Sequence, residues 1–226
     1  MDREDKKRTK IVATISDLNC DTAFIRSMYE EGMDVVRLNT AHQDREATLK
    51  VVENVRKASY RIALLLDTKG PEIRTMPGNT LPMDISEGEE IHVYNKGFFQ
   101  EQEKAFEVSF DRFSEEVMDS SSASILLDDG DIELTVKETK ANHLVCRAGS
   151  GGTIKARKSV NVPGARFSLP SLSEKDRDYI QFAIENNLDF IAHSFVRDKQ
   201  DILEIQKLLD EHNSPIKIIA KIENQE

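Results

Sequence analysis

IALLLDT, Ile62 to Thr68, is a nearly unbroken apolar run that ends on a carboxylate and a hydroxyl. A run without alternation suits a strand covered on both faces, the situation of a parallel strand with helices packed over it. Upstream, KIVATI (Lys10 to Ile15) and DVVRLN (Asp34 to Asn39) also read as strands. Phe24, Ile25, Met28 and Tyr29 recur between these two at helical spacing, and Leu49, Val52 and Val55 mark a helical face ahead of the third strand. This βαβαβ order predicts parallel strands joined by right-handed helical crossovers.

The rhythm changes at Lys69-Gly70-Pro71. From about Met76 to Pro163 the chain offers short strand segments, EIHVYN, AFEVSF, SILLDDGDIELTV and HLVCRAG, parted by Gly, Asn, Asp and Ser, with no helical pattern. That predicts a separate β-rich module. Gly149-Ser-Gly-Gly152 reads there as a hairpin turn. The α/β rhythm resumes at Ser171-Leu-Ser-Glu174, a capping-box pattern that opens a helix with Ile180, Ala183, Ile184 and Leu188 on one face. DFIAHSF is the next strand, Ile202, Ile205, Leu208 and Leu209 mark another helix, and IKIIAKIE is a fifth strand. Five strands do not close an eight-stranded barrel, so a piece of a larger domain is expected.

With 38% apolar and 32% charged residues among 226, the chain can build a core and solvate its surface, which disfavours disorder. A net charge of −10 disfavours partners held by phosphate neutralisation over a broad basic surface, so no nucleic acid is expected; the cluster Lys6, Lys7, Arg8, Lys10 reads as a solvated arm. No apolar run is long enough to span a bilayer, and no membrane partner is expected. Cys20 and Cys146 lack metal-ligand spacing and read as packing residues of a reducing compartment.

Ligands of parallel α/β domains bind at the carboxyl ends of the strands. There, Arg37 and Asn39 share a face of one strand, Asp67 and Thr68 close another, and Lys221 and Glu223 share a face at the end of a third. Charges ending apolar strands are costly to bury alone, so they must pair with one another, with ions or with a charged ligand. Arg37 offers a planar fork for phosphate or carboxylate, Glu223 a hard oxygen for magnesium, and Lys221 a compact cation for a transferring phosphoryl group. Neither a Walker A sequence nor G-x-G-x-x-G is present.

Through KIVATI, VVRLNTAH, LLLDTKGPEIRT, DDGDIELTVKE, RKSVNVPG, LPSLSEKD, FIAHSF and IKIIAKIENQE, in that order, the chain resembles the pyruvate kinases. DTKGPEIRT and KIEN are the specific segments. The resemblance implies a partial (β/α)8 TIM barrel of about five strands interrupted by an all-β domain: residues 1–72 the first part of the barrel, 73–163 an inserted β-rich lid, and 164–226 the truncated continuation. It implies a cytoplasmic enzyme, homo-oligomeric when intact, that moves a phosphoryl group from phosphoenolpyruvate to ADP with Mg2+ (or Mn2+) and K+. Arg37 and Lys221 then serve as catalytic and substrate-binding residues, with Ser194 lining the substrate pocket. Asn39, His42, Arg74, Lys158 and Asp129 contact the nucleotide, Glu223 binds magnesium, and Asn39, Asp67 and Thr68 bind potassium. Glu72 stands where an acidic residue accompanies potassium dependence.

The chain departs from the family at Ala41, where serine is usual, so a water is expected in place of one potassium ligand. Ser16-Asp17, Thr40, Gln43, Ser159 and His193 are also unusual for their positions. The family's second magnesium carboxylate comes from later strands, beyond Glu226. Two readings thus stand beside the kinase: a ligand-binding chain that does not turn over, and a phosphoenolpyruvate-using barrel of another kind.

Overall fold

Leu64, Leu65 and Leu66 are buried on both faces of a strand in the computed structural model, which describes residues 8–40, 43–78, 80–102, 104–118 and 124–223. In chain order the elements are β1 (Ile11–Thr14), α1 (Thr22–Glu30), β2 (Met33–Asn39), α2 (Arg45–Ala58), β3 (Ala63–Asp67), β4 (Ile73–Arg74), β5 (Met83–Ile85), β6 (Glu90–Tyr94), β7 (Ala105–Glu107), α3 (Phe113–Met118), β8 (Ser124–Leu127), β9 (Ile132–Thr139), β10 (His143–Ala148), β11 (Gly152–Ile154), β12 (Ser159–Asn161), α4 (Glu174–Glu185), β13 (Phe190–His193), α5 (Lys199–Glu211) and β14 (Lys217–Ala220). They form two units, one of residues 8–71 and 170–223 and one of residues 72–169.

In the first unit the sheet order is β1-β2-β3-β13-β14 and every pairing is parallel. This is a partial (β/α)8 barrel. Val36, Leu38, Leu64, Leu66 and Ile191 form one core with Ile25 of α1, Val51, Val52 and Val55 of α2, Ile180, Phe182 and Ala183 of α4, and Ile205 and Leu209 of α5. Each fully buried aliphatic side chain of this kind contributes about 1.5–3 kcal/mol. The buried stripe of α2 runs through Thr48, Val51, Val52 and Val55, while Leu49, expected on it, is 37% exposed. The capping box falls two residues later than its sequence pattern: Ser173 caps α4 and Asp176 closes the reciprocal bond, because a short aspartate reaches the cap N–H as well as a glutamate would.

The second unit is a seven-stranded sheet of order β4-β12-β8-β9-β10-β6-β7, antiparallel except between β6 and β7, beside a β11-β5 pair. Two expectations fail here. The segment is not free of helix, since α3 turns Phe113 and Val117, four residues apart, into the apolar core. Nor is Gly149 to Gly152 a hairpin turn: β10 pairs with β6 and β9, whereas β11 pairs with β5, so the glycines carry the chain from one sheet to another. Residues 164–169, expected at the resumption of the barrel, belong to this unit; Ala165 is in its core with Phe167 and Leu169 packed against it.

Candidate functional site

Parallel register sets the site. Asn39 lies opposite Asp67 and Asp67 opposite Ala192, so β2 and β3 end level with one another and β13 ends one residue further on. On β2 the alternation buries Val36 and Leu38 against the helices and turns Arg37 to the other face. Thr14 of β1, the register partner of Arg37, is its neighbour on that face.

Asp67, only 3% exposed, organises the cluster. Arg37 donates from Nε to Asp67 Oδ2 at 2.7 Å, adds Nη2 to the same oxygen, and donates from Nη1 to Thr14 Oγ1 at 2.9 Å. Lys221 donates from Nζ to Asp67 Oδ1 at 3.1 Å and to Ser194 Oγ at 2.7 Å. The Ser194 hydroxyl in turn donates to the Thr68 carbonyl at 2.7 Å. Glu223 lies 3.4 Å from Lys221 Nζ and accepts the Phe195 N–H at 2.9 Å. The charges that close apolar strands thus do pair with one another. One buried carboxylate, with Glu223 at its edge, faces two cations whose side chains remain about one-third exposed, 33% for Arg37 and 30% for Lys221. Such a group keeps open donors for an anion.

Close backbone packing holds Ser194 in place. Gly70 has φ +70°, and a Cβ there would lie 2.4 Å from the Ser194 carbonyl oxygen. The adjoining Lys69 N–H donates to Asp176 Oδ1 at 3.0 Å, which ties this turn to the start of α4. Beneath it, Thr68 N–H donates to the Ala192 carbonyl at 3.0 Å, and Thr68 Oγ1 is 2.9 Å from His193 Nδ1. His193 is fully buried, and burial pushes its pKa below the ordinary value against the opposing fields of Asp176 and Asp201.

The second unit assembles a cluster of its own. Arg74 donates from Nε to Glu72 Oε2 at 2.7 Å and from Nη1 to the Arg157 carbonyl at 2.5 Å. Ser159 is its register partner, and the adjacent Lys158 donates from Nζ to Asp128 Oδ1 at 2.9 Å. Asp129 accepts the Ser159 hydroxyl at 2.9 Å. Asp128, Asp129 and Gly130 have φ of 51°, 58° and 97°, a turn that short polar residues and glycine tolerate best. Arg74, Lys158 and Asp129 therefore lie near one another where β4 and β8 end and β12 begins.

His42 and Ala41 lie outside the described residues, as does the chain after Glu223. Thr14, Asp176 and Gly70 went unnoticed as site residues in the sequence. The first could have been found from the parallel pairing of KIVATI with VVRLN.

Carboxylate, amide and hydroxyl oxygens are the donor types that magnesium and potassium take. Among the described residues no three His, Cys, Asp or Glu side chains gather as a metal cage. Magnesium needs none, because it is commonly held by one or two carboxylates with substrate phosphates and water. Glu223 is such a carboxylate, and Asn39 and Asp67, adjacent in register, bring oxygens of the type a monovalent cation takes, those of Asp67 already accepting from Arg37 and Lys221.

A parallel β/α barrel sheet whose strand ends gather two cations and two carboxylates defines a barrel protein with a charged site at the carboxyl ends of its strands. Comparison with known proteins narrows the class. The family model for the pyruvate kinase barrel domain matches residues 6–226, and the chain belongs to the pyruvate kinase family. It is 44% identical to the pyruvate kinase of Borreliella burgdorferi over 221 residues, covering 97% of this chain and 45% of that protein. It is 41% identical to the pyruvate kinase of Geobacillus stearothermophilus over 228 residues, covering 98% of this chain and 38% of the relative. The crystal structure of a pyruvate kinase from Cryptosporidium parvum superposes with a TM-score of 0.86 at 32% identity, covering 96% of this chain and 46% of that one. The chain thus spans less than half the length of these relatives.

Proposed function

We propose that the strand-end cluster binds the phosphoryl group of phosphoenolpyruvate and that the chain serves its transfer to ADP, giving pyruvate and ATP in the last step of glycolysis. One observation carries this reading: Arg37 and Lys221 sit on the two oxygens of one buried carboxylate, and Arg37 keeps one further N–H on each Nη for an anion. Asp67 keeps both cations oriented before the ligand arrives, so their order is established in advance. Arg37 grips the phosphoryl oxygens through its free fork positions, and the Lys221 ammonium offsets the charge that develops as the group transfers. Ser194 fixes where that ammonium points. Glu223 would hold magnesium, which when bound would supply Lewis acidity, and Asn39, Asp67 and Thr68 would hold potassium, a fixed positive charge. Arg74, Lys158 and Asp129 contact the nucleotide. The cytoplasmic location we propose rests on the family alone; among the described residues no helix is long and apolar enough to cross a membrane.

Calorimetric titration with phosphoenolpyruvate in Mg2+ and K+, alongside a coupled assay for ADP-dependent pyruvate formation, tests the reading. Saturable binding with turnover supports it; absence of binding overturns it. Binding without turnover supports a second reading, a ligand-holding chain.

A further inference from the structure

His193 is a buried polar residue next to the strand-end cluster that the proposed chemistry leaves unused. Its side chain is fully buried at the end of β13, yet Nε2 has no hydrogen-bond partner among the described residues. A buried polar atom without a partner costs free energy that an apolar side chain of similar volume would not. Leucine in this place would pack against the same neighbours without that cost. Departures from local rules of this kind concentrate where a residue serves the site.

The other ring nitrogen has a clear task. His193 Nδ1 is 2.9 Å from Thr68 Oγ1. Thr68 Oγ1 also accepts the Ser194 N–H at 3.3 Å, and the Thr68 carbonyl accepts the Ser194 hydroxyl at 2.7 Å. That hydroxyl accepts from Lys221 Nζ at 2.7 Å. Three bonds thus run from a buried imidazole to the ammonium expected to meet the phosphoryl group.

We infer that His193 is a positioning residue: its Nδ1 fixes the Thr68 hydroxyl, which holds Ser194 where it orients Lys221. This rests on the reading of the strand-end cluster as a phosphoenolpyruvate site. A role through Nδ1 predicts a pattern that packing does not. Asn places a polar atom where Nδ1 stands, Gln places one nearer Nε2, and Leu places none.

The test measures phosphoenolpyruvate affinity by calorimetry and Tm for the whole chain and for H193L, H193N and H193Q, in Mg2+ and K+. Loss of one hydrogen bond's worth of order corresponds to about a five- to tenfold weaker Kd. H193L is expected to bind that much more weakly with Tm at or above that of the unsubstituted chain. H193N is expected to restore Kd to within about twofold, and H193Q to resemble H193L. If H193L does not fold, the contrast between H193N and H193Q carries the test. Equal affinity of H193L and the unsubstituted chain, or equal losses in H193N and H193Q, would overturn the inference. Absence of binding by the unsubstituted chain would instead overturn the reading of the site, and the inference with it.

Discussion

Arg37 and Lys221 are held on opposite oxygens of the same carboxylate: Nε of Arg37 is 2.7 Å from Asp67 Oδ2, and Nζ of Lys221 is 3.1 Å from Asp67 Oδ1. β2 delivers one cation and the end of β14 the other, with β3 and β13 between them in the sheet. The arrangement sets two positive charges side by side and uses one buried negative charge to offset their repulsion. On the proposed reading, an arriving phosphoryl anion would take over part of that work, which would couple ligand binding to the stability of the strand ends.

Replacing Asp67 by Asn keeps the shape and removes the charge. Breaking a buried ion pair from its buried side commonly costs about 3–5 kcal/mol, and the partial exposure of both cations places the expected loss near 3 kcal/mol. R37M, which removes one exposed partner, should cost less. Urea unfolding of both variants checks the order, and a D67N loss no larger than that of R37M would show that the carboxylate is not the organiser.

R37K should lose most phosphoenolpyruvate affinity although charge is conserved. Arg37 meets Asp67 through Nε and Nη2 while reaching Thr14 through Nη1, a spread that one ammonium cannot reproduce. Loss of a charge-assisted contact corresponds to a Kd about 10- to 100-fold weaker. Calorimetry at constant ionic strength measures it, and affinity within about twofold of the unsubstituted chain would show that only net charge matters.

How far the sequence discloses the molecule depends on whether each feature is local. The parallel sheet is legible because strands covered on both faces read as apolar runs, and Arg37, Asp67 and Lys221 are legible because charges closing such runs demand partners. α3 is obscured by its brevity: Phe113 and Val117 are too few to show a period. Gly149 to Gly152 has the composition of a hairpin turn, and only the pairing of β11 with the distant β5 shows otherwise. The role of His193 is hidden for a like reason, since its partner Thr68 stands 125 positions away in the chain.

G70A should weaken both fold and site. Its φ of +70° suits glycine, and the added Cβ would meet the Ser194 carbonyl oxygen at 2.4 Å, so the backbone must move. A left-handed position alone costs about 1–2 kcal/mol for an L-residue, and the clash adds to it. Because the displaced residue also holds Lys221, phosphoenolpyruvate affinity should fall along with Tm. A lower Tm with unchanged Kd would mean that the turn and the lysine are independent.

The β-rich unit should carry its own response to acid through His143. This imidazole stacks on Tyr94 with ring centroids 4.6 Å apart and lies 5.5 Å from the ring of His92. Burial, then the neighbouring His92 and Lys140, push its pKa below the ordinary value of 6.5, against a smaller opposing effect of Glu138. The unfolded chain therefore takes up a proton before the folded one does. Stability is fully present above about pH 6.5 and declines as pH falls below it toward the folded value. Hydrogen exchange of the β6 and β10 amides between about pH 7.5 and pH 5.5, corrected for the intrinsic rate, should show falling protection. H143F keeps a ring against Tyr94 and removes the titrating group, so its protection should stay level over that range. An unchanged slope in H143F would assign the acid response to another group.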